Sequence, residues 1–243
     1  MIAVDPSSQR TGGALLGDRI RVRAGANDPG VFFRSMAARD RLGGLAEATR
    51  AGVTLLAAVF DHVIVETVGV GQSESEIADL VDTLAFVAQP GAGDLLQFMK
   101  AGVLELPDVF VVNKADQGAL AERSASELES GLGLGERAGA PGWVAPVVLT
   151  SARDGTGIEA LLEAFDRHRE TLDASGERIA RRSRGRDRYV SERLRTRYGS
   201  FGIGALGGEE ALAERVAAEP ETSGFLLVDR LGREIEDALA KPR

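Results

Sequence analysis

Two short stretches of this chain bring together residue types that recognise a purine. Asn113-Lys114-Ala115-Asp116 follows an apolar run, Val109 to Val112. A carboxylate at the last position can accept two parallel hydrogen bonds. Guanine offers a matching pair of donors, N1–H and the exocyclic amine, and adenine does not. The lysine stem would pack along the base plane, and the asparagine would brace neighbouring loops. A polar turn after a strand would carry the same residue types. Thr150-Ser151-Ala152 comes one apolar run later, with Gly155 and Gly157 behind it. That suits a loop whose backbone N–H meets guanine's oxygen. Either motif alone says little, but both in this order, one strand apart, point to a guanine nucleotide.

Two further stretches suit phosphate and a hard cation. Glu66-Thr67-Val68-Gly69 follows the apolar run Val63-Ile64-Val65. A carboxylate at a strand end can hold the shell of a magnesium ion, and a nearby glycine lets the backbone approach a γ-phosphate and sense it. Asp5-Pro6-Ser7-Ser8-Gln9-Arg10-Thr11-Gly12-Gly13, with Asp18 beyond it, is dense in oxygen ligands and flexible glycines. A loop near magnesium that reorders with phosphate state has that composition; so does an ordinary polar turn.

These residues need a scaffold that delivers them to one place. Val63-Ile64-Val65, Leu84-Ala85-Phe86-Val87, Val109 to Val112 and Pro146 to Leu149 are short, continuously apolar runs, each followed by a turn. Continuous apolarity predicts strands covered on both faces, as in a parallel sheet. Ile2-Ala3-Val4 predicts a further strand. Between the runs, Ser73 to Asp82, Leu95 to Leu106 and Ala119 to Leu132 have helical spacing or capping. The alternation predicts a doubly wound, mostly parallel α/β sheet, whose ligands gather at the carboxyl ends of the strands. A helix is expected from Ile158 to about Leu172. Residues 1–172 read as a core domain and 173–243 as a helical C-terminal extension. Within the extension, residues 177–197 hold nine arginines, Gly199 to Gly208 is glycine-rich, and helices are expected near Glu209 to Ala218 and Leu231 to Leu239.

Composition narrows the classes. The chain has no cysteine, so disulfides, thiolate metal sites and cysteine nucleophiles are excluded. A net charge of −8 argues against general binding to nucleic acid, and the interspersed acids make the arginine run read as a solvated helix face. No apolar run is long enough to cross a bilayer and no secretory leader is visible, so a cytoplasmic, membrane-free protein is expected. His62 and His168 lack ligand spacing and predict surface or helix-end roles; Trp143 predicts packing.

Taken together, AVDPSSQRTGGALLGDR, ETVGVGQSE, GDLLQFMKAGVLELPD, VVNKAD and TSARDGTG closely resemble the MeaB/ArgK family of P-loop GTPases, in the family's order, over about residues 1–172. The resemblance implies binding of GTP or GDP with Mg²⁺, GTP hydrolysis, and a chaperone role toward an adenosylcobalamin-dependent acyl-CoA mutase such as methylmalonyl-CoA mutase. It places Asp5, Asp18 and Glu66 at the magnesium and switch carboxylates, and Gly69 at the γ-phosphate sensor. It puts Asn113, Lys114, Asp116, Ser151 and Ala152 at the guanine site. Asp94, Gln97 and Lys100 fall in the family's switch III, which responds to the partner mutase. Lys100, one of only three lysines in the chain, would aim a charge at phosphate or a switch carboxylate; an exposed helix lysine would look the same. A helical dimerisation arm is implied for about Arg178 to Arg197, hence a homodimer, whereas Gly199 onward departs from the family.

The family also implies a first strand ending in G-x-x-x-x-G-K-[ST], whose backbone N–H groups cradle phosphates and whose lysine and hydroxyl serve the β/γ oxygens and Mg²⁺. None of the 243 residues forms that motif. The chain therefore reads as the fold without its first strand and P-loop, through an internal start, a truncated gene model or a fragment. If the chain were complete, catalysis would be very weak or absent. Two alternatives stand beside the GTPase reading: a GTPase-derived interaction module without turnover, and a kinase acting on a transport protein. No phosphoacceptor or substrate feature supports the second.

Overall fold

A computed structural model describes residues 1–5, 28–37, 47–67, 74–91, 105–133 and 141–240. They form two compact units, Met1–His168 and Arg169–Arg243. Among the described residues the first unit holds six strands: β1 (Ile2–Asp5), β2 (Arg34–Ala37), β3 (Val65–Thr67), β4 (Ala85–Ala88), β5 (Val109–Val112) and β6 (Val147–Leu149). They make two three-stranded sheets, β2-β1-β3 and β4-β5-β6, with every described pairing parallel. The helices of this unit are α1 (Glu47–Ala57), α2 (Glu74–Ala78), α3 (Ala119–Leu132) and α4 (Ile158–Ser175), the last running past the unit's end; a 3-10 turn covers Ala115–Gln117. This is the α/β class with parallel strands that the apolar runs predict.

The second sheet shows why those runs are continuous. All four residues of β5 are at most 3% exposed. Successive strand side chains point to opposite faces, so Phe110 and Val112 pack with Ala121, Ala125 and Leu128 of α3, while Val109 and Val111 pack with Ala164 of α4. Around β1, Ile2 and Val4 pack with Val53 of α1 and with Met36, Val63 and Val65. Burial on both faces does not extend to every run. Ile64, just before β3, and Val87 in β4 are each 60% exposed. The third strand also begins later than its apolar run: Val65–Thr67 pairs with β1, not Val63-Ile64-Val65. The expected helix over Leu95 to Leu106 lies almost wholly outside the described residues.

Two elements go beyond the sequence reading. β2 is the polar stretch Arg-Ser-Met-Ala, held in register with β1 from Ile2–Arg34 to Asp5–Ala37. α1 buries Thr49 and Val53 on one face.

The second unit is helical. α5 (Glu177–Ala205), α6 (Glu209–Ala217) and α7 (Gly224–Ala240) enclose a core of Val190, Leu194, Ile203, Leu212, Val216, Leu227, Val228, Leu231 and Ile235. The glycine-rich stretch is not a break: α5 kinks at Gly199 (φ 64°, ψ −173°) and resumes to Ala205, burying Gly202 and Ile203. The arginine run is only partly the solvated face expected of it. The Arg186 guanidinium reaches the carbonyls of Val216 (3.3 Å) and Glu219 (2.8 Å) and also that of Pro220. It thereby supplies donors to the C-terminal end of α6, whose last carbonyls have no partner within the helix. Its side chain is 14% exposed.

Candidate guanine-binding site

The carboxyl ends of β5 and β6 carry the two loops that the sequence predicts to recognise a base. After Val112, Asn113 N donates to Ala88 O at 3.0 Å, and Ala115 N donates to Thr150 O at 2.8 Å, so the first loop is stitched to both flanking strands. Between these bonds Lys114 is the only non-glycine residue with positive φ among the described residues (φ 62°, ψ 41°). A left-handed lysine costs about 1–2 kcal/mol, and such strain gathers at functional sites. Lys114 Nζ donates to Gln89 Oε1 at 2.7 Å, which ties the lysine stem to the chain leaving β4.

The second loop is a compact turn. Ser151 N donates to Thr156 O and Gly155 N to Ser151 O, both at 2.9 Å. Thr156 N donates to Asp154 Oδ1 at 3.0 Å, and that bond holds the Asp154 carboxyl below its ordinary value. Gly157 then enters α4 with φ 71°, its backbone so close to Leu149 O that no side chain fits.

Side chains join the loops. Ala152 N donates to Asn113 Oδ1 at 3.2 Å, and Ser151 Oγ donates to Asp116 Oδ1 at 3.1 Å. Ser151 is fully buried. Asp116 is partly exposed, and its Oδ2 lies 3.5 Å from Arg153 Nη1. The structure therefore brings Asn113, Lys114, Asp116, Ser151 and Ala152 together. The arrangement offers a partly exposed carboxylate, which can accept donors from a base edge, and an amide-braced loop beside it.

The remaining site candidates belong to the other sheet or lie outside the described residues. Asp5 ends β1, and Glu66 lies in the neighbouring β3 opposite Ala3, with its side chain exposed. Parallel pairing thus delivers two acidic positions toward the carboxyl ends of adjacent strands. Carboxylate oxygens are the donors that hard cations such as Mg²⁺ take. Among the described residues no cluster of three or more metal-ligating side chains occurs. Asp18, Gly69, Asp94, Gln97 and Lys100 lie outside the described residues.

One cluster contradicts the sequence reading. His168, expected at a surface or helix end, is fully buried. Its Nδ1 shares a 2.8 Å hydrogen bond with Thr83 Oγ1. Its Nε2 lies 3.2 Å from Asp108 Oδ1, itself 2% exposed, without a hydrogen bond between them. Asp108 Oδ2 accepts from Leu84 N at 2.9 Å, and Asp108 O accepts from the Trp143 indole at 2.8 Å. The Trp143 and His168 rings lie 4.8 Å apart. The cluster sits at the amino ends of β4 and β5, away from the base-recognition loops. It pins α4 to those strands, and the packing role expected of Trp143 is realised there. The Pro-Asp step before Val109 was the available sequence signal, but it names no partner.

Comparison with known proteins agrees with these motifs. A protein of Pyrococcus abyssi named as a GTPase is 46% identical over 198 residues, which cover 81% of this chain and 60% of that protein. The Escherichia coli GTPase ArgK is 39% identical over 72% of this chain and 54% of its own length. The mouse methylmalonic aciduria type A homolog, mitochondrial, is 36% identical over 75% of this chain and 44% of its own. The chain thus spans about 60% or less of the length of these relatives. The profile of the methylmalonyl Co-A mutase-associated GTPase MeaB family matches residues 1–198, ending one residue before the kink at Gly199. Covering most of the sequence, that match establishes that the chain belongs to the MeaB family of GTPases.

Proposed function

We propose that this chain is a GTP-binding and GTP-hydrolysing switch that acts as chaperone to an adenosylcobalamin-dependent acyl-CoA mutase, methylmalonyl-CoA mutase being the type. The observation that carries the nucleotide half is the pair of loops joined through Asn113–Ala152 and Asp116–Ser151. Asp116 accepts guanine's N1–H and 2-amino group, Lys114 lies along the base plane, and the backbone N–H of Ala152, which donates to Asn113 Oδ1 in this structure, turns to the guanine oxygen when the base binds. Asp5, Asp18 and Glu66 supply carboxylates for Mg²⁺, which when bound neutralises charge on the phosphate oxygens. Gly69 presents its N–H to the γ-phosphate, and Lys100 adds a cation there. Asp94 and Gln97 respond to the mutase. The family's name supports the mutase as partner. Residues 173–243 form the dimerisation extension of a cytoplasmic homodimer.

Calorimetric titration with Mg·GDP against Mg·ADP tests the base site. Selective GDP binding is the expected result, and equal affinity for the two would remove the guanine assignment. Phosphate release from Mg·GTP then tests the hydrolysis.

A further inference from the structure

The base-recognition carboxylate has two oxygens in unlike surroundings. Oδ1 of Asp116 accepts from the hydroxyl of Ser151, a fully buried residue. Oδ2 faces Arg153 Nη1 at 3.5 Å, and the Arg153 side chain is 83% exposed against 24% for Asp116. The turn from Ser151 to Thr156 is closed by its own hydrogen bonds, and it carries Arg153 at its tip with the guanidinium in solvent. One oxygen is thus held by a fixed brace, the other by a long, solvated cation.

We propose that Arg153 is a latch, which competes with the purine for Asp116 and withdraws when the base binds. This rests on the guanine reading of the site. A guanidinium and the donor edge of guanine present the same chemistry, adjacent N–H groups in one plane, to the same acceptor. The two ligands differ in charge. Guanine is neutral, so its hydrogen bonds to Asp116 depend little on ionic strength. The Arg153–Asp116 pair is an exposed ion pair, which salt screens. Competition by such a pair is modest, about fivefold in affinity at most, equivalent to ~1 kcal/mol. The penalty falls equally on any base that must displace the arginine, and the preference for guanine over adenine comes from the two-donor match to Asp116 itself.

Guanosine is the appropriate probe, because a neutral nucleoside needs no phosphate site. NMR titration of the full chain with guanosine and with adenosine, at low and high salt, is compared with that of Arg153→Ala, Arg153→Lys and Asp116→Ala. The latch predicts that Arg153→Ala tightens guanosine binding about two- to fivefold. It also predicts that added salt strengthens binding to the unsubstituted chain and leaves Arg153→Ala unchanged, and that Arg153→Lys keeps the salt response. Equal guanosine affinity in the unsubstituted chain and Arg153→Ala overturns the latch but leaves the base site standing. Weaker binding in Arg153→Ala also overturns it, since the arginine would then hold the base. Guanosine binding that survives Asp116→Ala, or that never exceeds adenosine binding, refutes the base site itself and the latch with it.

Discussion

Gly157 gives the sharpest test of how the second base-recognition loop is built. An added Cβ would lie 1.9 Å from Leu149 O and 3.0 Å from Leu149 C, both backbone atoms of β6. Carbon and oxygen do not approach closer than about 3.3 Å even in weak C–H···O contacts, so the strand or the turn must move by about 1.4 Å. The bonds next to Leu149, Thr150 N to Val112 O at 2.9 Å and Ala115 N to Thr150 O at 2.8 Å, would not survive that shift. Two lost hydrogen bonds cost about 2 kcal/mol, and the positive φ adds about 1–2 kcal/mol for any side chain. Gly157→Ala is therefore expected to cost about 3–4 kcal/mol. Gly155 is the internal control. It also has positive φ, yet an added Cβ there meets nothing within 4 Å, so Gly155→Ala should cost only the conformational ~1–2 kcal/mol. Urea unfolding read by fluorescence of Trp143, the only tryptophan and a residue of this unit, measures both. The ~2 kcal/mol difference corresponds to roughly 1 M in urea midpoint. Equal midpoints for the two variants would refute the reasoning, because only the contacts with Leu149 and Thr150 distinguish them.

Two other outcomes follow from the packing and ion pairs. Asp108→Ala leaves Leu84 N without its acceptor and His168 Nε2 without its facing carboxylate, and should cost about 3 kcal/mol in the same unfolding measurement. A loss below about 1 kcal/mol would show that the cluster does not pin α4. In the second unit, the hydrogen bonds from Arg230, and then from Thr222, hold the Glu219 carboxyl below its ordinary value of 4.5. A depressed carboxylate contributes stability that is complete above its unfolded value and is lost as pH falls through the folded one. A carbonyl-carbon NMR titration should place the Glu219 midpoint below 4.5 and move it upward in Arg230→Ala; an unmoved midpoint would contradict the pairing.

The motifs and the strand that carries the first of them were legible in the chain because each is a local property. Val109 to Val112 is apolar at every position since both faces of β5 are covered, and Asn113 to Asp116 follows at its carboxyl end. Helix α3 coincides with its predicted range, Ala119 to Leu132, because its buried positions Ala121, Ala125 and Leu128 recur at helical spacing. What the sequence left open depends on partners far along the chain. Arg-Ser-Met-Ala has no strand pattern of its own and becomes β2 only through its ladder with Ile2 to Asp5. His168 is buried because Thr83 and Asp108, 85 and 60 residues earlier, meet its two ring nitrogens. Arg186 looks like one more arginine in a basic run until carbonyls at and just beyond the end of α6, about thirty residues on, close around it. Residue type and spacing marked out the two loops proposed to recognise guanine, Asn113 to Asp116 and Thr150 to Ala152. The tertiary structure decided which polar groups are withdrawn from water to hold the recognising loops and helices in place, because burial and hydrogen-bond partnership are settled by contacts across the chain and not by neighbours along it.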